Sequence, residues 1–153
     1  MKLLLQTTAS IGLALMALAM PTTAGEKDDA VKKDMKLLEG TWVLDAFETN
    51  GKAVPAEKIN KIKTTIKGDH YSVDFGEKKM ELTFKIDPSK KPKSIDLIMT
   101  KDGKNAVTPG IYEIGPDLLK ICRGLEAGAE RPTTFGTKEG SGTAMATYKR
   151  EKK

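Results

Sequence analysis

Leu38-Glu39-Gly40-Thr41-Trp42 is the stretch at which the hydropathy pattern of this chain changes period. Upstream, Val31, Met35 and Leu38 recur at i, i+4 and i+7, the spacing of one helix face, so a short helix is expected over Asp29–Leu38. Asp28 and Asp29 at its start and Lys36 near its end suit the helix dipole. Downstream, apolar and polar residues alternate, as in strands with one buried face. Gly40 gives the backbone freedom to leave the helix and enter the first strand. Trp42 is the only Trp and the bulkiest side chain available to plug the end of a small barrel, provided its indole N–H finds a partner. The helix is expected to lie across that same end.

From Gly40 onward the alternation marks extended segments at about 41–49, 61–67, 70–75, 80–87, 95–99, 110–114, 118–123 and 143–150. Turn chemistry separates them: Asn50-Gly51, Gly68-Asp69, Gly76-Glu77-Lys78, the two prolines between Asp87 and Lys93, Lys101–Asn105 and Gly115-Pro116-Asp117. Pro55 is placed to open a helical turn over Val54–Lys58. Gly124–Glu130 reads as a loop, Arg131–Phe135 as extended chain and Lys138–Gly142 as a flexible turn. Eight short strands joined by tight turns predict an all-β fold, an eight-stranded antiparallel up-and-down barrel behind a short N-terminal helix.

Residues 1–24 read as a signal peptide: Lys2, an apolar run over Ile11–Met20, and small residues at Thr22-Thr23-Ala24 for cleavage after Ala24. The run of about ten residues is half the length that spans a bilayer. Export to the periplasm or the extracellular space as a soluble chain is therefore expected. The remaining 129 of 153 residues divide into a charged segment with the helix (25–37), one barrel domain (38–150) and a charged tail (151–153). A chain of that size can bury one core without staples. Cys122 is the only cysteine, so no disulfide forms within the chain; in Leu118-Leu119-Lys120-Ile121-Cys122 it reads as a small buried hydrophobe.

The net charge of +5, or +4 once Lys2 is lost, raises the question of nucleic acid. Only three of the 26 basic residues are Arg, and bidentate phosphate recognition favours Arg, so a nucleic-acid partner is set aside. His70 is the only histidine; it alternates with Tyr71 beside a turn, and a strand geometry would send the Asp69 and His70 side chains to opposite faces. One His and one Cys do not make a zinc site, no phosphate loop occurs, and no cofactor is implied. No catalytic constellation emerges, and the chain is read as a non-enzyme.

With Gly40-Thr41-Trp42 at the first strand, the chain resembles the lipocalin superfamily. More closely it resembles the planctomycete-type lipocalin-like domain family of uncharacterised function. Leu38–Trp42, Gly51-Lys52, Asp87–Lys93, Gly110–Glu113, Leu119–Cys122 and Glu130–Thr133 carry the likeness, which spans about residues 38–150. The resemblance implies a barrel and, from the broader superfamily, a small hydrophobic ligand inside it. It also implies an Arg against the Trp at the barrel base, completing a structural plug of Gly40, Trp42 and Arg150; Arg131 is the other residue the sequence leaves open for that role.

The inward faces comprise Ile62, Ile66, Tyr71, Val73, Met80, Leu82, Phe84, Ile86, Ile95, Leu97, Met99 and Tyr112. They are mostly large, which argues for a filled interior over an open calyx. Should a cavity exist, it is expected to be apolar and narrow, with Ile66, Tyr71, Val73, Phe84, Leu97, Tyr112 and Arg131 as its ligand contacts. Two functions follow. One is an exported monomer holding a small hydrophobic ligand; the other is a filled barrel contacting an exported protein through Lys90–Lys93 and Gly124–Phe135.

Overall fold

A computed structural model describes residues 23–153. The expected signal peptide lies outside the described residues except for Thr23 and Ala24. Helix α1 covers Ala24–Leu38, five residues longer at its start than the apolar spacing indicates. Thr23 caps it, its backbone N–H donating to Glu26 Oε2 at 3.3 Å, so the polar residues before Asp29 are helical without an apolar face of their own.

Nine strands follow: β1 (Gly40–Thr49), β2 (Lys52–Ala53), β3 (Lys63–Lys67), β4 (His70–Asp74), β5 (Lys79–Asp87), β6 (Ser94–Lys101), β7 (Lys104–Ile114), β8 (Leu118–Gly124) and β9 (Thr143–Arg150). Helix α2 (Ala56–Ile59) starts after Pro55, where the helical turn was expected. Every pairing is antiparallel, in the order β1-β3-β4-β5-β6-β7-β8-β9, and β9 returns to β1 from Trp42–Arg150 to Thr49–Ala144. The result is the closed eight-stranded up-and-down barrel, with β2 an extra short ribbon against the end of β1. Closure pairs each of the eight barrel strands on both sides, and the two-residue β2 is the one edge among the described residues.

Two local features depart from the sequence reading. A bulge between Leu44 and Ala46 inserts Asp45 into β1, so the inward series runs Trp42, Leu44, Phe47. Strand β7 begins at Lys104 rather than Gly110, because Asp102 and Gly103 alone make the turn, both at positive φ (51° and 71°). Pro109 within β7 lies one residue beyond the last β7–β8 pair, Gly110–Arg123, so that ladder asks nothing of its missing N–H.

Arg131–Phe135 is not a strand. Residues 125–142 instead form a strap over the outer face of β7 and β8, burying the outward-facing Ile111 and Cys122. Cys122 is the small buried hydrophobe expected, its thiol 3.5 Å from the Gly136 carbonyl. Leu125 N–H donates to the Gly142 carbonyl and Gly128 N–H to that of Val107, both at 2.8 Å, joining the two ends of the strap and tying its beginning to β7.

Candidate functional site

One end of the barrel is closed from the sequence upward. Trp42 is fully buried and its Nε1–H donates to the Leu38 carbonyl at 2.8 Å, so the indole loses no hydrogen bond on burial. Arg150, its register partner, stacks on the ring at 4.2 Å. The guanidinium also donates to the carbonyls of Leu37, Glu39 and Pro116, which the end of α1 and the β7–β8 turn leave without backbone partners. Gly40 is required here twice over: its φ is +128°, and a Cβ would stand 2.8 Å from Arg150 Nη1. Gly40, Trp42 and Arg150 thus come together as one plug.

Helix α1 is fastened to this end by a buried carboxylate. Asp34 Oδ2 accepts from Tyr112 Oη and from Lys93 Nζ, each at 2.7 Å. Burial first, and the Asp34 bond second, push the Tyr112 hydroxyl far above the ordinary tyrosine range. Ile66, Phe84 and Tyr112, three of the expected ligand contacts, are therefore packed into this closed half and do not line the cavity. Arg131 is also not inside. It sits on the outer face, donating to the carbonyls of the paired Ile95 and Gly110 and to Asp96 Oδ1 at 2.7 Å. Its length lets it pin the strap to β6 and β7 instead of reaching the interior.

The other end is hollow. A cavity of about 410 Å³ opens between Phe75, Met99 and Leu125, each 39 % exposed. Tyr71, Val73 and Leu97 line it as expected. The expectation of a filled interior therefore holds for one half only. Room comes from Ala144 and Ala146 on β9 and Ala106 and Thr108 on β7, short side chains in inward positions. The signal for them was present in Ala144-x-Ala146-x-Tyr148, but alanine and threonine alternate with too little hydropathy contrast to stand out.

Polar atoms are few and placed at two depths. At the floor, Tyr71 Oη and Tyr148 Oη share a hydrogen bond of 2.9 Å, and the buried Thr64 Oγ1 beside them makes no hydrogen bond of its own among the described residues. Burial raises both tyrosine hydroxyls, well above the usual value for Tyr71, while the Arg123 charge pulls the other way. The floor thus stays protonated at ordinary pH and can donate hydrogen bonds. Arg123 is the charged residue lining the wall; Leu119-x-Ile121-x-Arg123 places it inward by the same alternation that fixed its neighbours.

His70 lies outside this site. Its Nε2 is 3.6 Å from Asp69 Oδ1, a contact the strand reading did not expect; Asp69 belongs to the turn, where side chains need not alternate. Both groups are well exposed, so the pair is a solvated one of little energetic weight. Among the described residues no three of His, Cys, Asp and Glu gather as a metal-binding group, and no helix is long and apolar enough to cross a membrane. No protein-family model, curated protein or solved structure matches the chain.

Proposed function

We propose that this protein is an exported, monomeric binding protein that holds one small, mainly apolar molecule in the open half of its barrel. The observation that carries the reading is the cavity of about 410 Å³, apolar in its wall and hydroxyl-bearing at its floor, within the size range of small-molecule sites. Membership of the planctomycete-type lipocalin-like domain family is part of the proposal, resting on Leu38–Trp42 and the plug it forms. Export rests on the hydropathy of residues 1–24. Non-enzymatic action rests on the chemistry of the cavity, whose lining offers one arginine, two tyrosine hydroxyls and a threonine among apolar groups.

The two loops on which an interaction module would depend are each engaged within the molecule at one anchoring residue. Lys93 is tied to Asp34, and the strap is held by Arg131 over Ile111 and Cys122. Native mass spectrometry of the protein purified gently from its own source tests the proposal. A bound mass that is lost on denaturation is the expected result. A clean apo mass, together with failure to bind any apolar fluorescent probe, would overturn it in favour of the filled-barrel module.

A further inference from the structure

Arg123 stands apart from the other two arginines. Arg150 spends its donors on three carbonyls and the Trp42 ring, and Arg131 on two carbonyls and the Asp96 carboxylate. Arg123 donates through Nη1 to the Gly124 carbonyl at 2.9 Å and has no carboxylate partner among the described residues. It is nevertheless half-buried, in the wall of an otherwise uncharged cavity. A cation withdrawn from water without an anion is costly, so such groups normally have a partner.

The register gives Arg123 room to meet one. Its cross-strand neighbours are Gly110 on β7 and Ala144 on β9, the smallest residues available. A Cβ on Gly110 would stand 2.8 Å from the Cys122 carbonyl and 3.1 Å from Arg123 Cβ, so β7 and β8 approach closely here and no side chain from β7 lies over Arg123 at this position. Along β8, Arg123 lies four residues from Leu119, the partner of the floor residue Tyr148, which is about 13 Å of strand. The cavity therefore has a cationic neck near its mouth, an apolar wall below it, and a hydroxyl floor. Charges outside the mouth are mixed: Lys58, Lys61, Lys78, Lys79, Lys101 and Lys104 stand beside Glu57, Asp74, Glu77, Asp102 and Glu126, with Asp74 paired to Lys79 at 3.6 Å, so Arg123 is set apart by its place in the wall and not by the rim.

We propose that the ligand is an amphiphile with a single oxyanion head, a carboxylate or sulfonate, bound head-outward: its head on Arg123 and its apolar body along the wall toward Tyr71 and Tyr148. This inference rests on the binding-protein reading and narrows it to a chemical class. The head remains close to water, so only the apolar part is fully desolvated, and the head supplies the anion that Arg123 lacks.

The test is calorimetric titration of the full chain with decanoate, 1-decanol and decyltrimethylammonium at pH 8, repeated for Arg123→Met and Arg123→Lys. Decanoate is expected to bind about ten- to hundredfold more tightly than decanol, with the ammonium weakest. Arg123→Met should erase that preference while leaving decanol unchanged, and Arg123→Lys should keep part of it. Circular dichroism checks folding; should Arg123→Met not fold, the wild-type ranking alone decides. Equal binding of acid and alcohol would overturn the head-group assignment and leave the cavity reading standing. Failure of all three to bind would overturn both.

Discussion

Below Tyr71 and Tyr148 the barrel interior holds Trp42, Ile66, Phe84, Ile95 and Leu119, none more than 3 % exposed. On the other side of that pair, strands of the same wall carry Ala106, Ala144 and Ala146 inward, and a cavity of about 410 Å³ remains. The difference separates two decisions that a barrel sequence makes independently. Alternation decides which side chains face in; their size, and whether an element covers the end, decide whether the space is filled. Helix α1 covers the Trp42 end through Asp34 and Leu38, and among the described residues nothing equivalent crosses between Phe75, Met99 and Leu125.

The largest expected asymmetry is in stability. Trp42→Ala removes a fully buried indole and its stacking arginine's platform and is expected to cost about 3–5 kcal/mol. Denaturant unfolding measures it, and a loss under about 1 kcal/mol would contradict a structural plug. Arg150→Met, which strips three carbonyls of their donor at the same end, should cost about 1–3 kcal/mol by the same assay. In the hollow half, Ala146→Phe should behave differently. Overpacking a solid core costs about 1–3 kcal/mol, but here the ring enters free volume, so stability should change little while binding of an apolar fluorescent probe is lost. A destabilisation like that of a filled core would erase the distinction between the halves.

How far this arrangement was legible follows from the same two decisions. The period-two pattern located all eight barrel strands, β9 to the residue, because inward and outward positions differ sharply in hydropathy along most of them. Trp42 and Gly40 were legible because each has a physical demand few residues can meet. The hollow half was not, since short side chains at Ala144 and Ala146 signal absence rather than contact. Arg150 was expected at the plug and lies there, whereas Arg131 was expected inside and Arg123 was not singled out, for another reason. Arg131 and Arg123 differ in which face they leave from, and Arg131 lies in a strap whose path no periodicity specifies. The Asp45 bulge likewise shifts the phase of β1 without a local sequence mark.

A smaller effect concerns pH. Tyr71, Tyr112 and Tyr148 are the only tyrosines, and burial is the leading cause that raises each above 10. A hydroxyl raised on folding contributes stability that is complete below the unfolded value of about 10 and is lost as pH climbs through the folded one. Tyrosinate absorbance is therefore expected only above pH 10 and together with unfolding. A tyrosinate signal near pH 10 with intact circular dichroism would place at least one ring in solvent. The smallest effect is at Asp87, whose carboxyl the Ser89 hydroxyl holds below the usual aspartate value. Ser89→Ala should raise it toward that value in an NMR titration, with little change in stability at neutral pH.

The most direct measurement is methyl NMR of the full chain during titration with an uncharged apolar probe such as N-phenyl-1-naphthylamine. The half-filled barrel requires shifts at the methyls of Val73, Leu97, Ala106, Ala144 and Ala146, and none at Leu38, Ile66, Ile95 and Leu119. Shifts spread over both groups, or absent from both, would contradict it.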